Sequence, residues 1–358
     1  MADPNEDNAE SSSGLEIVTG GAGFIGSHLV EHLVGLGRRV RVIERPGASV
    51  DHLPGSVEVV FADIRDRARL ASALSEGEWV YHLAANPNLW ARDRSEFDQV
   101  NHQGTVNVLD LALAAGARRV LHTSTESILT TARGTRPIGL DARVELSDAV
   151  GPYCRSKLLA ENYAFSLAER GFPLVVANPT MPVGPGDRGM SPPTRLIRDF
   201  CLGQLPATVA CTLNLIDVRD AAQGLRLVME RGQPGVRYLL GGENLTLDQL
   251  LADLARLTGV SPPRWRVPYP VALLFAWLSE GWADWMTGRP PQATVTGVRL
   301  ARRIMHFDTG PSLAEIGLVT RPISDSLADS VAWLRATGLI PDSTFNHVEG
   351  LVEELRRR

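Results

Sequence analysis

Lysine is almost missing from this sequence of 358 residues. Lys157 is the only one, against thirty-five arginines, so arginine carries the positive charge everywhere else. A lone lysine in such a chain indicates a task that suits a compact ammonium and not a broad planar guanidinium. Lys157 follows Tyr153 by four residues, so on a helix the ammonium and the phenol share one face. This spacing is common by chance, and its meaning depends on the residues upstream.

The chain has no excess of positive charge over negative charge. The formal net charge is −5 and the isoelectric point is near 5.9, whereas a nucleic-acid-binding protein presents a basic face. The last three residues, Arg356, Arg357 and Arg358, are too few to alter that balance and are interpreted as a solvated helix end. We therefore expect no nucleic-acid partner.

Cysteine is scarce too. Cys154, Cys201 and Cys211 are an odd number, and no two of them have the close spacing of a metal site. The eight histidines show no paired spacing either, so we expect no metal centre. Three unpaired thiols are most compatible with a reducing cytosol, and we expect a cytoplasmic protein.

Long apolar runs are missing. No stretch reaches the roughly eighteen uninterrupted apolar residues of a membrane span. Residues 1–13 are polar and acidic, which predicts a disordered tail and not a secretory signal. The hydrophobic share of 44% is nevertheless ample for a sizeable core in one large domain or two smaller ones.

The amino-terminal half contains a strand, a glycine turn and a helix in immediate succession. A short apolar run, 15–20, is followed by Gly21-Ala-Gly-Phe-Ile-Gly26 and by a helical pattern over 27–36. Such glycines permit a tight turn and close approach of the backbone to a pyrophosphate, which binds at the helix amino end. In this context the motif predicts a dinucleotide site.

An acid at the end of the next predicted strand bears on the choice of cofactor. Arg39–Glu44 reads as a strand, and Glu44 lies at about the distance from the glycines expected for the residue that binds the adenosine ribose. Glu44 favours NAD. Arg45 follows it directly and could hold a 2′-phosphate, so NADP stays open as the alternative.

Further strand-like runs recur at helix-sized intervals along the first half. Amphipathic segments such as 101–115 separate them. This alternation predicts a doubly wound parallel α/β sheet, a Rossmann fold whose strand ends line the cofactor cleft. The predicted strands are 57–62, 79–83, 119–123 and 174–177.

At this point the motifs resemble a known family. The chain is similar to the extended short-chain dehydrogenase/reductases, the NAD-dependent epimerase/dehydratase superfamily, and within it to the hopanoid-associated sugar epimerase subfamily, often likened to dihydroflavonol reductases. The motifs that carry the resemblance are Thr19-Gly-Gly-Ala-Gly-Phe-Ile-Gly26, Asp63-Ile64, His82-Leu-Ala-Ala85, Asn101-His-Gln-Gly-Thr-Val-Asn107, Ser124-Thr125 and Tyr153-x-x-x-Lys157, with Asn178-Pro-Thr-Met-Pro-Val-Gly-Pro185 further along.

The resemblance implies a catalytic set of Thr125, Tyr153 and Lys157. Thr125 would bond the substrate oxygen, Tyr153 would act as general acid and base, and Lys157 would lower the pKa of that tyrosine. It also implies the cofactor contacts. These are Gly20, Gly23, Phe24, Ile25, Gly26, Glu44, Arg45, Asp63, Ile64, Leu83, Ala84, Ala85, Asn101, Thr123, Lys157, Pro179 and Thr180.

Three positions depart from the family pattern. Thr125 is followed by Glu126 and then by Ser127, where sugar-nucleotide dehydratases have two acids, so dehydration is disfavoured although Glu126 could still be a second acid/base. The positions that hold the diphosphate in sugar-nucleotide epimerases are occupied by Met181 and Leu213. A diphosphate needs charged or N–H donors, which Arg195, Arg198 or Arg219 could supply instead.

The carboxyl-terminal part reads as a smaller, mostly helical substrate-binding cap. We predict a tail over 1–13, a nucleotide-binding domain over 14–180 and about 214–241, and a cap over about 181–213 and 242–358. The segment from Asn214 is expected to return to the nucleotide domain with a strand and a helix. Four tryptophans lie between Trp265 and Trp285, which predicts either a helix packed into the cap or an apolar lid or membrane-surface contact.

These features predict an NAD(P)-dependent enzyme that transfers a hydride at a secondary alcohol or ketone carbon. It could act as a dehydrogenase or reductase, or as an epimerase. The substrate is expected to be a small molecule, apolar or a sugar derivative. The alternatives are a sugar-nucleotide 4-epimerase or dehydratase proper, and a non-catalytic NAD-sensing protein. The resemblance also implies a homodimer, through the helices that carry residues 101–115 and 153–168.

Overall fold

The computed structural model of the protein describes residues 14–130, 136–140, 142 and 144–341. The expected tail over 1–13, the arginine ending and the last part of the cap lie outside the described residues. Ten strands are described: β1 Leu15–Thr19, β2 Arg39–Glu44, β3 Glu58–Phe61, β4 Gly77–His82, β5 Arg119–Thr123, β6 Leu174–Pro179, β7 Met181–Val183, β8 Thr212–Asp217, β9 Arg237–Leu240 and β10 Glu243–Thr246.

Helices alternate with these strands along the chain. The described α-helices are α1 Phe24–Gly35, α2 Arg67–Ala73, α3 Ser95–Phe97, α4 Thr105–Ala114, α5 Gly151–Glu169, α6 Pro192–Cys201, α7 Val218–Arg231, α8 Leu247–Thr258, α9 Tyr269–Trp282, α10 Val295–Ala301, α11 Gly310–Ile316 and α12 Ile323–Ala336. Two π-helical segments, Asp98–Gly104 and Ala283–Thr287, join α3 to α4 and extend α9, and a single 3₁₀ turn covers Glu126–Ile128.

Seven parallel strands form the large sheet in the order β3-β2-β1-β4-β5-β6-β9. The predicted Rossmann fold is confirmed. The direction of winding reverses between β1 and β4, and a crevice at such a reversal, outside the carboxyl ends of the strands, is where α/β sheets bind ligands.

Helices cover both faces of this sheet, because successive residues of a strand point to opposite sides. On β1, Val18 joins the apolar cluster that contains Leu29 of α1 and Leu225 of α7. Its neighbour Ile17 joins the cluster on the other face, which contains Val108 of α4. Burial on both faces explains why these strands read as continuous apolar runs.

The smaller part of the molecule has a core of its own around a three-stranded sheet, β10-β8-β7. Helix α8 begins with a capping box. The Thr246 side chain accepts a hydrogen bond from the Gln249 backbone N–H, and the Gln249 side chain accepts one from the Thr246 backbone N–H. The helix ends at Gly259, whose φ is positive. Its apolar face, including Leu250 and Leu254, packs in this core with Phe200 of α6.

One expectation about the sheets was wrong. The segment from Asn214 was expected to add a strand to the large sheet, but β8 lies in the small sheet, and β9 is the strand that pairs with β6. The reason is packing, because Leu213 and Leu215 of β8 are buried in the small core. The helix that follows, α7, does belong to the nucleotide side, where it packs on α1.

The tryptophan-rich segment does not pack its apolar face into the cap. Helix α9 buries only Ala272 and Ala276 of its residues, whereas Trp277 and Trp282 are exposed by 67% and 62%. The interpretation of this segment as a helix plugged into the small core is therefore wrong. Among the residues that the structure describes, no helix combines the length and the apolarity that crossing a bilayer would take.

Candidate active site

The glycine turn between β1 and α1 leaves no room for side chains. A Cβ on Gly26 would lie 2.1 Å from the carbonyl oxygen of Gly20, and Gly20 itself has a φ of +72° and lies against the backbone of Ala84. Helix α1 begins after Gly23 without a side-chain cap. The first backbone N–H groups of a helix have no acceptor within it, so those of Phe24 and Ile25 face the turn, as a pyrophosphate requires.

Glu44 reaches the same turn from the end of β2. Its Oε1 accepts a hydrogen bond from the backbone N–H of Ala22 at 2.8 Å. Burial raises the pKa of Glu44, and the bond from Ala22 opposes that effect. The carboxylate is thereby held beside the glycine backbone, where the ribose of a bound dinucleotide is expected, while the side chain of Arg45 is exposed.

Asp63 and Ile64 follow β3 at the same edge of the sheet. The Asp63 carboxylate pairs with Arg65, with 2.6 Å between Oδ2 and Nη2, and this pairing lowers the pKa of Asp63. The Ile64 carbonyl accepts from Asn107 Nδ2 at 3.0 Å, which ties this turn to α4.

The residues after β4 are bonded to β1 across the point where the winding reverses. The backbone N–H of Leu83 donates to the Thr19 carbonyl at 3.1 Å, and that of Ala84 donates to Thr19 Oγ1 at 3.3 Å. Thr19 Oγ1 also bonds His82 Nδ1 at 2.8 Å. The predicted contacts Leu83 and Ala84 therefore border the glycine turn, and Ala85 follows them in the same loop.

Asn101 lies in the π-helical segment and is buried. Its side chain accepts from the Asn86 N–H at 2.7 Å and donates to the Asn86 carbonyl at 3.1 Å and to Ser156 Oγ at 3.3 Å. The π-turn aims this amide at the loop after β4, a use of π-helices that is common near functional sites. Asn101 thus joins that loop to α5 and positions the side chains around it.

The catalytic candidates meet at the carboxyl end of β5. Thr125 Oγ1 donates to Glu126 Oε2 at 2.9 Å and accepts from the Ser127 backbone N–H at 3.3 Å. The Thr125 side chain also lies close enough to the Tyr153 phenol to lower its pKa. Thr125 therefore connects the phenol to a buried carboxylic acid. Because burial outweighs the hydrogen bonds it accepts, the pKa of Glu126 is raised to about 7.

The electrostatics of Tyr153 differ from the expectation. Lys157 was expected to lower the pKa of this phenol, but in the structure burial raises it well above its ordinary value. The Thr125 bond lowers the pKa and the Glu126 charge raises it further. The Tyr153 ring also packs edge-on against Phe97, with centroids 6.3 Å apart, which sets its orientation.

Lys157 is buried on the same helix. Its Nζ donates to the Thr123 carbonyl at 2.8 Å, which also assigns a contact to the predicted residue Thr123. Burial lowers the pKa of Lys157 to about 8, and the Glu161 carboxylate one turn further along opposes the shift. The ammonium lies close enough to the buried His82 and His122 rings, which stack 5.6 Å apart, to lower their pKa values as well.

Asn178 on β6 holds the other side of the site. Its Nδ2 donates to the Thr125 carbonyl at 3.0 Å and to Glu161 Oε2 at 2.7 Å. Pro179 ends this strand, and the backbone N–H of Thr180 donates to the Leu240 carbonyl at 2.8 Å. Asn178 therefore fixes the Thr125 loop relative to α5, a role that the sequence analysis missed.

Met181 and Leu213, the apolar residues that depart from the family pattern, also lie in apolar surroundings. Leu213 is buried in the small core, and Met181 packs against it. Of the three arginines considered as substitutes, Arg198 pairs with Asp199 and Arg219 with Asp217. Arg195 instead extends to Asn88 in the loop after β4, 3.5 Å from its Oδ1, and is the one that faces the nucleotide domain.

Glu126 and Asn178 are the polar groups that sequence reasoning placed least well. Glu126 was weighed as a second acid/base only because it follows Thr125, and its burial could not be read from the chain. The glycine turn, the Glu44 carboxylate and the Lys157 ammonium together fit NAD, since they offer an anion cradle, a ribose acceptor and a nearby cation. Within the described residues, no three histidine, cysteine or acidic side chains cluster so as to hold a metal ion.

Two proteins of known name and one solved structure are similar to this chain over nearly its whole length. The chain is 34% identical to sterol demethylase protein B of Methylococcus capsulatus over 90% of its own length and 99% of that protein, and 28% identical to ceramide reductase of Caulobacter vibrioides over 93% and 98%. It superposes on the crystal structure of gox2253 with a TM-score of 0.79 and 33% identity, over 91% and 99% of the two chains.

The family description that matches this chain is "NAD dependent epimerase/dehydratase family", and the match runs over residues 17–241. That range contains the last three residues of β1, all of β2 to β9 and every residue of the predicted catalytic set. The predicted cofactor, NAD, and the assignment as an enzyme are confirmed by this match. The chain belongs to the NAD-dependent epimerase/dehydratase family.

Proposed function

We propose that this protein is an NAD-dependent dehydrogenase or reductase acting on a secondary alcohol or the corresponding ketone, with Thr125, Tyr153 and Lys157 as its catalytic residues. When bound, NAD supplies the hydride acceptor for alcohol oxidation, and its reduced form the hydride donor for the reverse reaction. The observation that carries the proposal is the position of Thr125, whose Oγ1 donates to the Glu126 carboxylate and whose side chain lies close enough to Tyr153 to lower the pKa of that phenol.

Tyr153 moves the proton in this proposal. In alcohol oxidation its ionised oxygen takes the hydroxyl proton while the carbon loses its hydride, and a carbonyl is left. Thr125 orients the substrate oxygen with its hydroxyl. The Lys157 ammonium, fixed on the Thr123 carbonyl, supplies a compact positive charge suited to the ribose of the bound cofactor.

Glu126 completes the proton path. Its carboxyl is buried, has a pKa of about 7 and is bonded to the same Thr125 hydroxyl, so it can accept a proton from Tyr153 through Thr125 near neutral pH. The same carboxyl supports a second candidate function, a sugar-nucleotide epimerase or dehydratase, in which it would serve as a further acid/base beside the tyrosine. Ser127, in place of a second acid, argues against the dehydratase.

We favour an apolar substrate over a nucleotide sugar. Met181 and Leu213, at the positions that bind a diphosphate in sugar-nucleotide epimerases, are packed into the small core and offer no charge or N–H donor. Two relatives aligned over nearly their whole length carry the names sterol demethylase protein B and ceramide reductase, which are enzymes of lipids. A steroid-like or terpenoid ketone is the substrate class that agrees with both points.

Initial rates with two probes test this choice. With NADH and a 3-oxosteroid, we expect NADH to be consumed, and with UDP-glucose we expect neither NADH turnover nor isomerisation. Conversion of UDP-glucose to its 4-epimer without net change in NADH, by protein purified with stoichiometric nucleotide, would establish the second candidate function instead.

The proposal extends to assembly and compartment. We propose a homodimer formed through α4 and α5, as the family resemblance implies, which sedimentation equilibrium would measure. Cys154 and Cys201 are buried free thiols and Cys211 is a half-buried one, in keeping with the proposed cytoplasmic location.

A further inference from the structure

Helix α9 has its apolar side turned outward. Residues at helical spacing form one exposed face, which we name the tryptophan face: Leu274, Phe275, Trp277, Leu278, Trp282 and Trp285. Trp285 is exposed by 88%. Contiguous apolar surface of this kind is rare on proteins that function alone in water and marks a contact with a partner or a membrane.

The opposite side of the same helix carries the polar anchors. Ala272, Ala276 and Glu280, at intervals of four, face the protein, and Glu280 Oε1 accepts from the Val295 backbone N–H at 2.8 Å. In the π-helical extension, Asp284 accepts from Trp90 Nε1 and from Arg94 Nη2, each at 3.0 Å. Glu280 and Asp284 therefore hold the helix to the protein, and their hydrogen bonds fix the outward orientation of its apolar face.

Arginines flank the tryptophan face along the chain. Arg264 and Arg266 flank the exposed Trp265 before the helix, and Arg289 follows it. Arg302 lies 4.8 Å above the ring of Tyr269, the first residue of α9. Arg266 pairs with Asp248, whereas Arg264 and Arg289 form no ion pair with any described residue. Positive charge at the border and tryptophan within it is the pattern of a helix lying in a membrane interface.

We propose that the tryptophan face docks on the surface of an anionic lipid bilayer, with α9 lying in the interface and the bordering arginines at the lipid phosphates. No helix of the described residues is both long and apolar enough to cross a bilayer, so the proposed contact is peripheral. A second copy of the chain fits the surface less well, because a two-fold contact sets the same patch against itself and brings both sets of arginines together.

The segment that holds the tryptophan face to the protein follows a strand of the large sheet. Trp90 and Arg94, which hold α9, belong to the segment that follows the carboxyl end of β4. Access of an apolar substrate from the bilayer would rest on the proposed function, but the docking itself does not. Vesicle binding is therefore measured without cofactor or substrate, so that it can fail independently of the activity.

The test is flotation of the full-length protein with vesicles of phosphatidylcholine, alone or mixed with phosphatidylglycerol. We expect binding to the mixed vesicles, lost at high salt, and a blue shift of tryptophan fluorescence. The affinity of the double variant Trp282→Ala/Trp285→Ala for the vesicles should be lower by at least roughly tenfold, since two large apolar side chains are removed. Arg264→Gln/Arg289→Gln should lose the preference for phosphatidylglycerol.

Val319→Ala is the matched control, because Val319 is 87% exposed and lies outside the face. All of these side chains are exposed, so thermal unfolding of the variants should match that of the wild type. Absence of wild-type binding, or equal binding by the double tryptophan variant, would overturn the proposal. A wild-type dimer that this variant converts to monomer, without vesicle binding, would assign the face to self-association instead.

Discussion

Thr125 Oγ1 donates to Glu126 Oε2 at 2.9 Å, so two consecutive residues at the end of a strand form a hydroxyl–carboxyl pair in a buried site. The pair lies close enough to Tyr153 for both side chains to shift the pKa of its phenol. A proton released at the phenol therefore has a nearby acceptor, beyond Thr125, whose pKa is about 7. This relationship ties the activity of the site to pH and to three side chains from two elements.

Replacing Tyr153 with phenylalanine should abolish most of the turnover. The variant keeps the ring packing on Phe97 but has no proton to exchange, and we expect kcat to fall by about 10² to 10⁴. Tyr163→Phe, on the same helix but bonded to Asp110 on α4, is the control and should keep its activity. Stabilisation by NAD in a thermal-shift assay should survive in both, and wild-type kcat in Tyr153→Phe would remove the tyrosine from the mechanism.

The pH profile of alcohol oxidation should be narrow. Glu126 can accept a proton only above its pKa of about 7, so kcat/KM should rise through that pH. Burial lowers the pKa of Lys157 to about 8, so the ammonium is lost and kcat/KM should fall as the pH rises through that value. The measurement is kcat/KM from pH 5.5 to about 10, bracketing both pKa values.

Two variants test the rise and the fall of that pH profile separately. Glu126→Gln should lose the rise near pH 7, whereas Ser127→Ala, at the next residue, should keep it. Lys157→Arg should be less active but lose the fall near pH 8, because a guanidinium stays charged throughout this range. An unchanged rise in Glu126→Gln would show that another group titrates there.

Gly26→Ala should prevent binding of NAD. Its Cβ would lie 2.1 Å from the Gly20 carbonyl oxygen, so the turn must open and the cradle for the pyrophosphate is lost. Gly35→Ala on the same helix meets nothing within 4 Å and should bind NAD normally, with up to about 1 kcal/mol more stability. Calorimetric titration with NAD compares the two, and equal affinities would place the cofactor away from this turn.

Glu16 should make the stability of the protein fall with rising pH. It is fully buried on β1 near Arg38 and Tyr81, and burial raises its pKa to about 7. The folded state therefore holds this proton more tightly than the unfolded chain, so the associated stability is complete below about pH 4.5 and is lost as the pH rises through about 7. The full effect is at most about 3 kcal/mol.

Glu16→Gln removes that titration. The difference in unfolding free energy between wild type and variant, from urea denaturation at several pH values, should change between pH 4.5 and about 7 and be constant above about 8. Glu58→Gln, a variant at an exposed acid on β3 that pairs with Arg41, should leave the profile as it is. A constant difference over the whole range would mean that Glu16 is ionised in the folded protein.

Much of the nucleotide domain could be predicted from the chain. Strands β2 and β5 have the predicted bounds, Arg39–Glu44 and Arg119–Thr123, because parallel strands buried on both faces read as short apolar runs between turn residues. The glycine turn was equally readable, since only glycine tolerates the approach of Gly20 to Ala84. These features depend on residues close in sequence.

The sheet that receives β8 could not be predicted in this way. An apolar strand pattern states that a strand is buried but not which neighbour it pairs with. Leu213 and Leu215 lie in the small core because residues from α6, α8 and α12 enclose them, and those helices come from distant parts of the chain. The outward orientation of the apolar face of α9 also depends on contacts distant in sequence. Glu280 and Asp284 bond Arg94, which lies almost two hundred residues earlier in the chain.

The sequence by itself determined the Rossmann architecture, and it predicted the glycine turn with Glu44 and the proposed set of Thr125, Tyr153 and Lys157, because these depend on local spacing and side-chain chemistry. Only the tertiary structure decided the protonation behaviour of Glu126 and Lys157 and the exposure of the tryptophan face. Burial and long-range ion pairs control both, and they arise only when segments far apart in the chain exclude water from one another.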